Sequence, residues 1–231
     1  YYSMLNDLAN KNNKKGLFLG YSGCPPIINI YPLRADQKER NCFQLNKSIQ
    51  QIVKEKNIKN LILISRWSYY TDGNNNGKNF APISLKQSRN ITKAISKKAF
   101  KKGLNDTLNF YQNKNVFIVE QPPHQNFDPK KVYYRSYNEN FKTFTQNLLN
   151  YSVSINQHNK LQNFIKNTFK QAKNDYNNLT LINVDNVFCN KNIKKCFIGN
   201  NKHSFYTDLN HLSIEGAKLT MYKFSKYIEK F

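Results

Sequence analysis

The 231 residues include 36 Lys and Arg against 14 Asp and Glu, a formal charge of +22 at pH 7, so one domain with a sizeable core fits the length and an anionic partner fits the charge: nucleic acid, phospholipid or acidic glycan. The basic residues are mostly lysines spread through every segment among asparagines, which argues against a nucleic-acid reader with clustered, Arg-rich contacts and is equally well explained by a compositional bias. The longest apolar runs, Leu61-Ile62-Leu63-Ile64 and Val116-Phe117-Ile118-Val119, are strand-sized rather than the ~18 residues of a membrane span, and Tyr1-Tyr2-Ser3-Met4-Leu5-Asn6 lacks a signal peptide's basic-then-apolar order in a chain that reads as an excerpt.

Met4, Leu5, Leu8 and Ala9 share one helical face within residues 1–12. Gly16-Leu17-Phe18-Leu19-Gly20-Tyr21 reads as a short buried strand, ended by the tight turn Ser22-Gly23-Cys24-Pro25-Pro26. Residues 27–41 read as a loop, after which Leu45, Ile49, Ile52 and Val53 keep helical spacing from about Phe43 to Lys56. Leu61 to Ser65, apolar nearly throughout, suits a parallel sheet covered on both faces. Arg66 and Trp67 follow at its C-terminal end, where ligands sit in open α/β sheets; packing over the sheet is the competing reading for Trp67, the one tryptophan.

Asp72 to Gly77 is a polar, turn-rich loop. Residues 84–111 are expected to form one long basic helix, with Ile91, Ile95, Ala99 and Leu108 among its apolar positions and Gly103 as its weak point. Val116 to Glu120 is a third strand, stopped by Pro122-Pro123; 124–135 reads as a loop, and helices are expected at about 137–149 and 157–173. Leu179 to Val184 is a fourth strand, and a last helix runs from about Ser213 to Lys230. This alternation predicts a three-layer α/β/α sandwich with a mainly parallel sheet, and no repeat or linker divides residues 1–231.

Cys24 with Cys42, and Cys189 with Cys196, form local pairs whose spacing does not suit a zinc ribbon, so no metal is expected. Two loop-closing disulfides in an oxidising compartment are the preferred reading, four reduced thiols the alternative. Asp208 stands three residues before His211 on a turn leading into a helix. Such an Asp can accept from one ring nitrogen and leave the other free to take a proton from a nucleophile; a helix cap beside a solvated His is the plainer possibility.

Tyr206-x-Asp208-x-x-His211-Leu212-Ser213-x-x-Gly216-Ala217 resembles the last block of the SGNH (GDSL-like) hydrolase superfamily, most closely the extracytoplasmic domain of bacterial acyltransferase-3 proteins that O-acetylate surface glycans. Cys24-Pro25-Pro26, the Cys pair ahead of the Asp-His block, and Ser65-Arg66-Trp67 in place of a Gly-x-Asn-Asp block are similar to that branch. The resemblance implies an SGNH, flavodoxin-like sandwich whose first strand and Gly-Asp-Ser nucleophile block lie upstream of Tyr1; the sequence holds no Gly-Asp-Ser, and Ser3 and Ser22 read as structural. It gives Asp208 and His211 catalytic roles, assigns Gly23 to the oxyanion and Arg66 and Trp67 to the substrate, and requires no cofactor.

The function so implied is acetyl transfer to, or ester hydrolysis on, a polysaccharide or lipopolysaccharide at the periplasmic face. The acyl donor would come from an N-terminal membrane domain that also anchors the protein to the inner membrane, and no nucleic acid is involved. Without its first strand, the isolated chain is expected to expose sheet edges and to be poorly soluble. The rival function is a non-catalytic basic module that binds an anionic glycan or nucleic acid.

Overall fold

Three parallel strands, Asn60–Leu63, Asn115–Val119 and Leu179–Ile182, are hydrogen-bonded in that order, with Leu61 opposite Val116 and Val116 opposite Leu179. The structure, a computed structural model, describes residues 1–33, 41–87 and 92–231 and falls into two compact units. One comprises residues 19–121 and 161–182 and holds this sheet; the other comprises 1–18, 122–160 and 183–231.

In the sheet unit the middle strand is buried from Val116 to Val119, as expected of a strand flanked on both edges and covered by helices. The helices Cys42–Glu55 and Lys93–Phe110, and residues 161–175 of the helix Ile155–Asp175, bring Val53, Phe100, Leu104, Ile165 and Phe169 into one core with Val116 and Ile118. Each of the first two starts where a side chain replaces a missing backbone partner: Asn41 accepts from the Gln44 N–H, and Thr92 from the Ile95 N–H.

Trp67 opens a 3-10 turn, Trp67–Tyr70, directly after the first of these strands and is wholly enclosed. Its indole N–H donates to the Val119 carbonyl at 2.7 Å, and its ring meets Phe100 and Phe169 edge-on.

The run 16–21 is not a strand: Leu17 and Phe18 are 58% and 71% exposed, and among the described residues no strand pairs with it. An apolar run becomes a strand only with a ladder partner.

The long helix begins at Lys93 rather than at residue 84, because Ile83–Ser84 pairs antiparallel with Tyr31–Pro32 and the Ser96 hydroxyl holds both the N–H and the C=O of Ile83. Ile91 lies outside the described residues, as do residues 34–40 of the expected loop. The helix passes through Gly103 without a break. A Cβ there would lie 2.6 Å from Ile27 and 2.7 Å from Ile30, so glycine permits a close approach of the 27–30 segment.

In the other unit, the helix Tyr2–Lys11 buries Met4 and Leu8 and places Tyr1 against Phe224, ring centroids 5.8 Å apart. The last helix divides at Thr220 into Ile214–Leu219 and Met221–Ile228. A helix stands at Pro129–Ser136, where a loop was expected; Asp128 caps it and Pro129 occupies its first turn, a start signal that outweighs the weak apolar period. Phe141–Tyr151 follows. A small antiparallel sheet joins Val153–Ser154, Lys195–Cys196 and Cys189–Asn190, too short for pattern reading. Both expected disulfides, Cys24–Cys42 and Cys189–Cys196, are formed.

Candidate active site

The segment 198–216 builds a closed loop before it presents any chemistry. Phe205 N–H donates to the Ile198 carbonyl and Ser213 N–H to the Phe205 carbonyl, both at 3.0 Å, while Tyr206 pairs with Leu212 across the neck. Ser213 caps the following helix by accepting from the Gly216 N–H at 2.9 Å, and its own hydroxyl donates back to the Ser204 carbonyl at 2.7 Å. Gly216 is fixed by contact: a Cβ there would lie 2.0 Å from the Phe205 carbonyl oxygen. The buried Tyr206 ring anchors the neck beside Phe188, and burial pushes its phenol well above the ordinary value.

On this loop Asp208 uses its two carboxylate oxygens differently. Oδ1 accepts the backbone N–H groups of Asn210 and His211, each at 2.8 Å, which makes the turn. Oδ2 lies 2.6 Å from His211 Nδ1. A carboxylate can only accept, so the pairing selects the Nδ1–H tautomer and leaves the lone pair of Nε2 available.

Partial burial works to raise the Asp208 carboxyl. The His211 and Asn210 N–H groups, the ring hydrogen bond and the imidazole charge outweigh it, so the carboxyl sits below its ordinary value of 3.8. The two side chains are 73% and 49% exposed for His211 and Asp208, and Nε2 has no hydrogen bond among the described residues. Chemically, this is a preorientated base open to solvent.

Gln125 supports the loop from a distance and is fully buried. Its N–H donates to the Leu209 carbonyl at 2.7 Å, its side-chain amide donates to the Cys196 carbonyl, and its side-chain oxygen accepts the Val153 N–H, both at 3.1 Å. Sequence reading missed it because its partners lie far along the chain. It also missed a second imidazole–carboxylate pair, His158 Nε2 to Asp185 Oδ1 at 2.9 Å; His158 is 1% exposed, so this pair has a packing position without access.

The remaining candidates, Gly23, Arg66 and Trp67, belong to the sheet unit. Gly23 has φ +78° in a turn closed by the Cys24 N–H to the Tyr21 carbonyl, next to the Cys24–Cys42 bridge. The Arg66 guanidinium lies over the Tyr69 ring, 4.6 Å from its centroid. Trp67 offers no surface to a ligand.

A family model described as the SGNH domain fused to AT3 domains matches residues 1–226. Among solved structures, the periplasmic domain of a lipopolysaccharide acetyltransferase from Salmonella ser. Paratyphi A is similar at a TM-score of 0.65 and 13% identity, covering 98% of this chain and 78% of that one. At that identity the likeness speaks for the fold, an α/β architecture with a parallel sheet as in SGNH α/β/α domains. No curated protein matches the chain by sequence.

Proposed function

The chain belongs to the family of SGNH domains fused to AT3 domains, and on that premise we propose that residues 1–231 act as one SGNH domain in O-acetyl transfer to an extracytoplasmic cell-surface glycan. The observation that carries the reading is the 2.6 Å contact between Asp208 Oδ2 and His211 Nδ1, with Nε2 left free.

Nε2 takes the proton of a serine hydroxyl from outside these residues as its oxygen attacks the acetyl carbonyl carbon. The tetrahedral adduct collapses and the donor leaves with that proton, giving an acetyl-serine. A sugar hydroxyl then attacks, again losing its proton to Nε2, and the serine recovers a proton as its ester bond breaks. Asp208 stabilises the imidazolium formed in each half. Water in place of the sugar makes the same centre an esterase.

The remaining roles rest on resemblance. Gly23 N–H is assigned to the oxyanion, where one such donor is worth ~3 kcal/mol of barrier. Arg66 and Trp67 are assigned to substrate binding, where the enclosed Trp67 ring can act only by shaping the sheet end beneath the ligand. The acyl donor comes from the AT3 domain, which also attaches the protein to the inner membrane with this domain on the periplasmic side.

The test is turnover of p-nitrophenyl acetate by the full-length protein. His211→Ala is expected to abolish it; unchanged turnover removes the assignment.

A further inference from the structure

Tyr133, Tyr134, Tyr137 and Phe144 line an open cleft of about 470 Å³ together with Glu139, Phe141, Asn201 and Lys202. That volume is in the range of small-molecule sites, roughly 300–1,000 Å³. Its walls are aromatic yet bare: Tyr134, Tyr137 and Phe141 are 85%, 83% and 69% exposed. A cluster of large rings left in water marks a binding surface.

The chemistry of the walls selects the occupant. Ring faces carry negative charge and favour the weakly positive C–H face of a sugar, and tyrosines lose little entropy when covered. The Asn201 amide, Glu139 carboxylate and Lys202 ammonium supply donors and acceptors for hydroxyl groups. Within the lining Lys202 is balanced by Glu139; outside it, the helices Pro129–Ser136 and Phe141–Tyr151 add Lys130, Lys131, Arg135 and Lys142 against the cap Asp128, a net positive surround that favours an anionic sugar.

The cleft is also braced against the segment that carries Asp208. Tyr133 Oη lies 2.6 Å from the carbonyl oxygens of both Asn200 and His203, which share its single O–H. Asn200 Oδ1 accepts the Lys202 and His203 N–H groups at 2.9 and 2.8 Å. Gly199 leaves room for the phenol, since a Cβ there would lie 2.1 Å from Tyr133 Oη. The chain then runs directly from Ser204 into the Asp208 loop.

We propose that this cleft is a subsite for an acidic sugar of the acceptor glycan, seated on Tyr134 and Tyr137 with its anionic group toward Lys202; the inference rests on the acetyl-transfer reading for the word acceptor but not for the binding itself. The test is calorimetric titration of the full-length protein in nanodiscs with tetragalacturonate and with neutral chitotetraose.

Wild type is expected to bind the acidic sugar more tightly. Y134A/Y137A should weaken it about 10-fold or more with an unchanged melting temperature, and K202A about 3- to 10-fold. Wild-type affinity in Y134A/Y137A, or no titration by either sugar, as when the cleft takes a protein or a second copy, overturns the proposal. Because His211→Ala is read by ester turnover and this cleft by sugar titration, each reading can fail alone.

Discussion

Asp208→Asn isolates the ring contact from the turn. The Asn oxygen can still accept the Asn210 and His211 N–H groups, but its NH₂ now faces Nδ1 across the 2.6 Å gap, donor against donor. The imidazole must shift its proton to Nε2, the nitrogen needed as base, or turn away. The imidazolium also loses its counter-charge. At 2.6 Å that attraction is about 1.6 kcal/mol in bulk water, an upper bound for side chains 49% and 73% exposed, because solvent and salt screen the pair. The lost counter-charge thus accounts for at most about 15-fold in rate, and the wrong tautomer, which removes the base itself, adds to it. We therefore expect kcat/KM for p-nitrophenyl acetate to fall at least 10-fold in the full-length protein, with ¹⁵N NMR showing the ring proton moved to Nε2. An Asn variant that keeps the Nδ1–H tautomer and stays within about two-fold of wild type refutes the reasoning.

Acid should loosen the same turn. The Asp208 carboxyl lies below its ordinary value of 3.8, so its contribution is complete above that pH and is lost as pH falls through the lower folded value; amide exchange of Asn210 and His211 should follow, and Asp208→Asn should remove that dependence. Gly216→Ala forces a Cβ to within 2.0 Å of the Phe205 carbonyl and should cost about 1–3 kcal/mol in denaturant melts, whereas an unshifted midpoint would show that the helix start moves freely. Trp67→Phe leaves the Val119 carbonyl without its indole donor and should destabilise by about 1–3 kcal/mol. Replacing both members of Cys24–Cys42 with Ser should cost about 3 kcal/mol and of Cys189–Cys196 about 2.5, from loop separations of 18 and 7; the opposite order in melts would contradict the loop-entropy account.

Legibility followed sequence distance. Asp208 and His211 could be read because their geometry is made by a turn between near neighbours, and the three parallel strands because apolar runs such as Val116 to Val119 meet apolar partners on both edges. The run 16–21 is also apolar, though it holds two glycines and no β-branched residue, and its composition does not say whether a partner exists. Gln125 and the two-residue strands escaped notice because their hydrogen bonds connect positions far apart, and no local period announces them. Pro129–Ser136 is signalled by Asp128-Pro129 but carries no apolar stripe to mark its length.

The Cys189–Cys196 bridge gives the Asp208 loop a maturation step. The carbonyl that receives the Gln125 amide belongs to Cys196, and Gln125 in turn fastens Leu209. A newly made chain whose thiols have not been oxidised holds this anchorage only as firmly as three two-residue strands allow. Competence of the imidazole should therefore trail disulfide formation, and a cell short of oxidant would accumulate intact protein with an idle base.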